Sequence, residues 1–273
     1  MKKYTLKTLL LEIVMICGAV IIATPLYVLF NLAFRKSTEL HSPLQLTKHL
    51  YSGNFTTAWQ TGGLGRALLN SVMITALSTL VIIVISALAA YPLARVTRSW
   101  SRVTFVIIMF GLVVPFQLGA LPLYQSMRDI GLLGTPWSLV IFYAGTQFPF
   151  TTFLYVGFIR ALPVDFEEAA LIDGCTPLQA FYHIVIPAMK PITITALVLN
   201  AVGVWNDFFT PLLYLSGTNF QTMPVAVSNF ASQYVTDWGA VFAGIVISIT
   251  PVLIFYLMLQ RFIINGFAGG LKG

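Results

Sequence analysis

The sequence contains very little charge. Only 9% of its 273 residues are Asp, Glu, Lys or Arg, whereas 58% are hydrophobic and the mean hydropathy is +0.86. A soluble domain of this size rarely has so few charged residues. The hydrophobic residues occur in runs of about 20 residues or more, without a period of two, which is the length that an α-helix needs to cross a membrane. We therefore predict an all-α integral membrane protein, because the backbone polar groups of such runs must be satisfied within the segment.

Residues that carry common site chemistry are also scarce. The two cysteines, Cys17 and Cys175, are far apart in the sequence and predict neither a disulfide nor a metal site. The three histidines fall in different loops, and no nucleophile–base spacing is present, which argues against a membrane enzyme. The phosphate loop GxxxxGK(S/T) is absent, so we expect this chain to hydrolyse no ATP and to hold no cofactor. The net charge of +6 gathers at the ends of hydrophobic runs and forms no basic patch, so nucleic acid is not an expected partner.

Six hydrophobic runs predict six transmembrane helices. The first run follows Lys2, Lys3 and Lys7 and exceeds the roughly 7–15 residues of a signal-peptide core, so we predict an uncleaved anchor. An even number of spans places both termini on one side. The Lys and Arg residues divide ten to five in favour of the side that holds the termini and segments 92–102 and 160–190, which the positive-inside rule assigns to the cytoplasm. The predicted spans are about 9–34, 67–91, 103–125, 137–159, 191–215 and 238–260.

Acidic residues are concentrated in segment 160–190. Four of the nine acids fall within nine positions: Asp165, Glu167, Glu168 and Asp173. Asp165 is a favourable N-cap, and Glu168 stands at the capping-box spacing from it. Gly174 offers the left-handed conformation that commonly ends a helix. A short helix is therefore predicted over 166–173.

A second helix is predicted directly after this glycine. Thr176 is a candidate N-cap, Pro177 occupies the first helical position and Gln179 completes a capping box. Pro187 and Pro191 are predicted to end the helix. An apolar stripe at helical spacing is formed by Leu178, Phe181, Tyr182, Val185 and Ile186.

Two interpretations of the acidic segment are open. Its helices can lie on the inner membrane leaflet, or they can dock a soluble cytoplasmic partner. The inner leaflet is itself negatively charged, so a surface helix normally carries Lys and Arg rather than acids. The charge of the segment therefore favours docking.

The same segment resembles a known motif. Glu168–Ala170, three residues, Gly174, nine residues and Ile184–Pro187 are similar to the EAA motif of ABC-importer permeases, with Ile186 where the family most often has Leu. The resemblance implies a coupling segment that sits in a cleft of a separate ATP-hydrolysing subunit. The residues that it assigns to ATPase docking are Glu167, Glu168, Ala169, Ala170, Asp173, Gly174, Ile184 and Pro187.

Further motifs extend the resemblance over most of the chain. Ala90–Arg95 reads AYPLAR and resembles the family's AYxLAR, and Trp205–Phe208 reads WNDF, which resembles the family's fifth span. Pro115–Gln117 resembles its third span and Gly131–Thr135 its outer turn. The glycine-rich tail Gly266–Gly273 is similar to that of maltose-permease-type subunits. The chain is therefore identified as a member of the carbohydrate-uptake branch.

Membership implies a type I ABC importer transmembrane domain in the plasma or inner membrane. Residues 1–66 would form an anchor helix and an external loop, 67–260 the core with its EAA loop at 160–190, and 261–273 a cytoplasmic tail. The implied function is translocation of a sugar, an oligosaccharide or a related carbohydrate. The implied partners are a second permease subunit, two ATPase subunits that bind ATP and Mg, an extracytoplasmic binding protein and the lipid bilayer.

Polar residues inside the predicted spans are candidates for the transport path. Asp207 lies well inside a late span and Asn206 precedes it; the pair can line the path or clamp two helices, and the clamp is favoured. Gln117 and Gln147 each lie near a proline. Their amides can bind sugar hydroxyls or satisfy the carbonyl groups that a proline frees.

The predicted external loop at about 217–237 is rich in amides. It can contact a binding protein, or it can be an ordinary polar connector. Its candidate contact residues are Asn219, Gln221, Asn229 and Gln233. Two other functions stay open: import of glycerol phosphate or a polyamine by the same architecture, and an ion-coupled carrier working alone, although no inverted repeat supports the carrier.

Overall fold

A computed structural model describes residues 5–39, 42–234 and 237–269, with the side chains of the last helix described to residue 258 and at residue 260. All regular structure in these ranges is helical. Lys2, Lys3 and the end of the glycine-rich tail from residue 270 lie outside the described residues. The helices are α1 Leu6–Ala33, α2 Gly53–Thr61, α3 Leu64–Arg95, α4 Ser99–Val113, α5 Phe116–Asp129, α6 Pro136–Ala161, α7 Asp165–Ile172, α8 Pro177–Ala180, the π-helical turn Phe181–Val185, α9 Ile186–Ala188, α10 Lys190–Asn206, α11 Phe209–Tyr214, α12 Met223–Gln233 and α13 Trp238–Gly269.

Four helices, α1, α3, α6 and α13, are long and apolar enough to cross a membrane, which confirms four of the predicted spans. The predicted spans 103–125 and 191–215 are wrong as single helices. α4 and α5 meet at 98° within the first of these ranges, and α10 ends at Asn206 within the second. The segment Pro177–Ala188 also meets Lys190–Asn206 at 70°, before residue 191. The number of candidate spans in the described ranges reaches six if each bent pair is one span.

The break between α4 and α5 follows from Pro115. Proline supplies no N–H, and it disfavours helical backbone in the residue before it. Val114 and Pro115 are both extended, with ψ angles of 117° and 123°. One turn before the break, Gly111 lets α4 approach α6 closely, since a Cβ there would lie 2.8 Å from Cγ of Pro149.

α10 ends earlier than the sequence predicts. The helix stops at Asn206 rather than near residue 215, because Asp207 is extended with a ψ angle of 124°. A new helix, α11, begins at Phe209, and Pro211 lies in its first turn, where the missing N–H costs nothing. The predicted fifth span is therefore interrupted two residues after Trp205.

The chain divides into two compact units. The first comprises Met1–Arg66 and Ala226–Pro251, and the second comprises Ala67–Val225 and Val252–Gly273. In the second unit, two clusters of buried apolar side chains support the segments of interest. One surrounds Phe142, Tyr143 and Tyr214, and the other joins Ala90 and Leu93 of α3 to Tyr155 and Val156 of α6 and to Phe181 and Val185.

In the first unit, the start of α13 lies tightly against the chain that follows α1. Asn54 of α2 donates from Nδ2 to the carbonyl oxygens of Ala33 at 2.9 Å and Arg35 at 2.7 Å. Gly239 makes room for this contact, since a Cβ there would lie 2.6 Å from both the Arg35 oxygen and Asn54 Nδ2. Ser37 donates to the carboxylate of Asp237, which also accepts from the backbone N–H of Ala240 at 3.1 Å.

Replacing Gly239 with alanine tests this close approach. The added methyl group has no space, so we expect the free energy of unfolding to fall by about 1–3 kcal/mol, as for other overpacked sites. Gly145→Ala is the matched control, because an added Cβ meets nothing within 4 Å in α6. Thermal midpoints of both detergent-solubilised variants give the measurement; equal midpoints would contradict the packing described here.

Candidate functional site

The acidic segment folds as a short helix, a glycine turn and a second helix. α7 begins at Asp165, and its N-cap is Val164, which makes no side-chain cap, so the prediction of Asp165 as N-cap is wrong. Asp165, Glu167 and Glu168 instead occupy the first turn, where negative charge suits the helix dipole. Gly174 has a φ of +88°, and the N–H of Cys175 donates to the carbonyl of Ala170 at 2.9 Å, as expected for a glycine-ended helix.

The second helix begins as predicted but does not end at Pro187. The backbone N–H of Gln179 donates to Thr176 Oγ1 at 3.3 Å, and the N–H of Thr176 donates to Gln179 Oε1 at 2.8 Å, which confirms the capping box. A π-helical turn then runs over Phe181–Val185 and leads into α9, so the helical path continues through Pro187. The chain bends at Met189, and Pro191 lies in the first turn of α10.

The predicted apolar stripe is divided between two faces. Phe181 and Val185 are buried against α3 and α6, and the Phe181 ring lies 4.8 Å from the ring of Tyr91. Leu178 and Tyr182 are 60% and 52% exposed. The prediction of one stripe rests on 3.6 residues per turn. The π turn after Ala180 has more residues per turn, so the later side chains point in other directions. The segment therefore rests on its own protein and still presents large apolar side chains outward.

Glu167 is the buried residue that fixes α7 to the end of α3. Its Oε1 accepts from Arg95 Nε at 2.9 Å and from Arg95 Nη2 at 2.6 Å, and its Oε2 accepts from the Tyr91 hydroxyl at 3.0 Å. Arg95 Nη2 also donates to the carbonyl of Leu162 at 3.3 Å. Both oxygens of Glu167 are thus engaged within the chain, so Glu167 holds α7 in place, and its part in docking stays a prediction.

The other predicted docking residues lie mostly on the outside of the segment. Glu168, Ala169, Asp173, Gly174 and Pro187 are exposed, and Ala170 and Ile184 are partly buried. Large apolar side chains lie among them: Phe166 is 65% and Ile172 is 86% exposed. This mixture of acids and exposed apolar groups is typical of a protein contact surface.

Asp207 links the end of α10 to α6. Its Oδ2 accepts from the Tyr143 hydroxyl at 3.0 Å, and its Oδ1 accepts from the backbone N–H of Thr210 at 3.3 Å. The bond from Tyr143 favours the clamp over the path lining for this residue, whereas the bond from Thr210 is local to the start of α11. Its neighbour Asn206 is exposed. Sequence reasoning did not single out Tyr143, and no local signal marks it.

The two helix breaks converge on one stretch of α6. Phe116, the first residue after the α4–α5 break, packs edge-to-face on Phe142 with ring centroids 5.9 Å apart. The next residue, Tyr143, bonds Asp207 at the other break. Gln117 is exposed beside Phe116. Gln147 lies one turn further along α6 with its amide against α10, since a Cβ on Gly203 would be 3.3 Å from Gln147 Nε2.

The predicted external loop is not a simple connector, because α12 occupies Met223–Gln233. Asn70 of α3 donates to the backbone carbonyls of Asn219 at 3.0 Å and Gln221 at 3.1 Å. These carbonyl contacts fix the turn before α12 and leave the Asn219 side chain exposed. Asn229 and Gln233 lie on α12 in the first compact unit, whereas Asn219 and Gln221 belong to the second.

Comparison with known proteins now identifies the family. Residues 82–263 match the model of the binding-protein-dependent transport system inner membrane component, so the chain belongs to this family. It is 33% identical to a probable starch degradation products transport system permease protein, AmyC, of Thermoanaerobacterium thermosulfurigenes, over 99% of this chain and 98% of AmyC. It is 31% identical to the melibiose/raffinose/stachyose import permease protein MelC of Bacillus subtilis, over 90% of each chain.

A solved structure supports the fold. A chain of a bacterial ABC transporter involved in the import of the acidic polysaccharide alginate superposes with a TM-score of 0.83, covering 96% of this chain and 99% of the other. The sequence identity is 23%, so this likeness concerns the fold. Together with the family match, it defines a multi-pass membrane protein that serves as a transport subunit.

Replacing Glu167 tests the attachment of α7. Glu167→Gln leaves the Arg95 guanidinium, whose side chain is 15% exposed, without its anion, so we expect a loss of about 1–3 kcal/mol in the free energy of unfolding. Glu168→Gln removes the same charge from the exposed neighbour and should change stability little. The measurement is the thermal midpoint of each variant in the same detergent. Equal falls in both midpoints would show that the ion pair of Glu167 with Arg95 does not hold α7 in place.

Proposed function

We propose that this protein is the membrane-spanning permease subunit of an ABC importer that translocates an oligosaccharide or a related carbohydrate. The observation that carries the proposal is the segment Asp165–Ala188, an outward-facing surface of acids and apolar groups on a base fixed to α3 and α6. The family match supports the transport role, and the EAA resemblance falls on the same residues.

The partner of this surface is a soluble ATPase subunit. Glu168 and Asp173 are exposed beside Ile172 and Leu178. A negatively charged lipid surface would repel the two carboxylates. Contact with water alone would leave the leucine and isoleucine side chains exposed. A protein cleft with basic and apolar groups meets both needs. The absence of a phosphate loop from the sequence agrees with ATP and Mg being bound by that partner.

The contacts of the segment give a route for coupling. Movement of α7 would be transmitted to α3 through the ion pair of Glu167 with Arg95. Movement of the π turn would be transmitted to α6 through the packing of Phe181 and Val185. α10 follows the same segment directly after Met189. ATP would drive transport by binding better to the conformation in which two ATPase subunits close.

The transport path lies beside the two helix breaks, in this proposal. Asn206 and Gln117 are exposed amides there, and Phe116 and Phe208 are exposed by 38% and 39%. Amides bind hydroxyl groups and aromatic faces stack on sugar rings, so this neutral set suits a carbohydrate. A second permease subunit would complete the path, since the candidate spans of this chain are few for a solute channel.

The sidedness follows from the basic residues. Both termini and the segment 160–190 are cytoplasmic in this proposal, and the turn at 217–222 faces the binding protein on the other side. Asn219 and Gln221 are the residues of this turn proposed to contribute to that contact, and the contacts predicted for Asn229 and Gln233 stay predictions.

Replacing Gly174 tests the docking surface. Gly174→Ala forces a side chain into a φ of +88°, which costs about 1–2 kcal/mol and distorts the turn between α7 and α8. We expect several-fold less co-purification of the co-expressed ATPase and a similar loss of uptake, with the chain still monodisperse in detergent.

Gly131→Ala is the matched control for this experiment. Gly131 has a φ of +73°, and neither glycine has a neighbour within 4 Å of an added Cβ, so the backbone strain is comparable. Gly131 lies in the turn after α5, away from the docking segment. Equal loss of ATPase in both variants, or in neither, would refute docking at Gly174.

Uptake by proteoliposomes tests the substrate class. We expect uptake of raffinose or maltotriose with the matching binding protein, and several-fold slower uptake in Asn206→Ala with normal ATPase association. Glycerol 3-phosphate and spermidine serve as competitors from the two other substrate classes. Uptake of either competitor with no uptake of the sugars would overturn the carbohydrate assignment and leave the ABC-importer assignment standing.

A further inference from the structure

The chain after α1 folds back beside the last two turns of that helix. Three side chains at a spacing of four, Tyr27, Asn31 and Arg35, reach from one face of α1 and its C-terminal end to the segment 42–47. Arg35 is buried, with 4% exposure, and so is Asn31, with 7%. The segment 42–47 is therefore fixed to α1 by hydrogen bonds from these three side chains.

The carbonyl groups of Ser42 to Gln45 all accept hydrogen bonds from side chains of this protein. The Ser42 carbonyl accepts from Arg35 Nη1 at 3.1 Å, and the Pro43 carbonyl accepts from Asn31 Nδ2 at 2.9 Å. The Leu44 carbonyl accepts from the Tyr27 hydroxyl at 3.0 Å. The Gln45 carbonyl accepts from Asn31 Nδ2 at 2.8 Å and also from Arg35 Nη2.

Four consecutive carbonyls with side-chain donors are unusual for an exposed loop, because water satisfies such groups at no structural cost. Irregular backbone at membrane depth, in contrast, needs donors from the protein. The backbone N–H of Thr47 likewise donates to a side chain, Asn31 Oδ1, at 2.9 Å. The bonding pattern therefore matches an environment with little water.

The register along α1 gives the depth of the segment. Tyr27 lies six residues before the end of α1 at Ala33, or about 9 Å along the axis. The 28 residues of α1 measure about 42 Å, against about 30 Å for the hydrocarbon core and 40–45 Å with the headgroup layers. The Leu44 carbonyl, bonded to Tyr27, thus lies at the boundary between headgroups and acyl chains.

The two leucine side chains of the segment are exposed, whereas Thr47 at its end is buried and donates to the Asn31 carbonyl of α1 at 3.2 Å. Leu44 is 63% exposed and Leu46 is 70% exposed, although the backbone between them is fixed by Asn31 and Arg35. Lys48 follows two residues later and is exposed, so its ammonium group can reach lipid phosphates. Tyr51 and Trp59 are also exposed, at 44% and 46%, and such rings favour the interfacial layer.

We propose that residues 42–47 form an interfacial membrane anchor, with Leu44 and Leu46 inserted among the lipids of the leaflet at the C-terminal end of α1. Lipid is the occupant that fits both observations, carbonyls that accept from side chains of this protein and exposed leucines at the boundary between headgroups and acyl chains. The anchor fixes the direction in which the chain leaves α1 and so places the segment that leads to α2. This proposal needs only that α1 spans the membrane, and it stands apart from the proposed substrate.

Nitroxide labelling tests the anchor. The full-length chain, with Cys17 and Cys175 replaced by serine, is labelled at single cysteines in place of Leu44, Leu46, Ile22 or Lys36 and reconstituted in vesicles of phosphatidylethanolamine and phosphatidylglycerol. Ile22 of α1, which is 73% exposed, is the lipid reference and Lys36 the aqueous reference. We expect labels at 44 and 46 to collide with oxygen several-fold more often than with a water-soluble nickel complex, as at 22 and opposite to 36.

Each other outcome identifies a different occupant and overturns the proposal. High collision with the nickel complex at 44 and 46 would show that the segment lies in water. Low collision with both reagents would show that protein covers the leucines. The labels replace exposed side chains, so folding of the chain is not at risk from them.

A second variant tests the cause of the depth. Asn31→Leu removes the amide that bonds Pro43, Gln45 and Thr47, so the backbone groups of Pro43 and Thr47 require water and the Gln45 carbonyl keeps only Arg35. The label at 44 should then shift towards the collision ratio of Lys36, while the label at Ile22 keeps its own ratio. An unchanged ratio at 44 would contradict the role assigned to the carbonyl contacts.

Discussion

The ion pair between Arg95 and Glu167 is the interaction on which the arrangement of the acidic segment 160–190, the proposed coupling segment, depends. α7 has eight residues, too few for a stable helix alone, and Glu167 is its buried residue. Its partner is the last residue of α3, so a helix that spans the membrane ends directly on the segment. The acids and leucines around Glu167 are therefore presented on a fixed base, which a coupling surface needs if movement of a partner is to reach the membrane helices.

Prolines shape the rest of the second unit. Pro115 breaks the path between α4 and α5, and Pro187 follows a π turn that carries the chain from the coupling segment towards α10. α6 remains helical through its own Pro149. It contacts the residues at both breaks, since Phe142 packs against Phe116 and Tyr143 donates to Asp207. Interruptions of spanning helices expose backbone and amide groups at membrane depth, and such groups are stable only where protein or a polar cavity meets them. The proposed path is placed beside the breaks for this reason.

Local signals predicted the parts of the structure that local physics decides. Apolar runs gave four spanning helices, and Thr176 with Gln179 formed the expected capping box because both groups lie within one turn. The partner of Glu167 lies 72 residues away in the sequence, so its burial could not be predicted from the acidic cluster. The apolar stripe failed because a π turn changed the helical period, and the long span 103–125 failed because hydropathy does not register the direction change at Pro115.

The ion pair should make α7 and the end of α3 move as one body. Nitroxide labels at Ile172 of α7 and Leu88 of α3, which are 86% and 47% exposed, allow the distance between the two helices to be measured by pulsed electron resonance in the assembled transporter, in a background without Cys17 and Cys175. We expect the same narrow distance distribution with and without ATP, and a broadened one when Glu167→Gln is added. A shift of several ångströms on ATP binding in a protein that still transports would show that the two helices move separately.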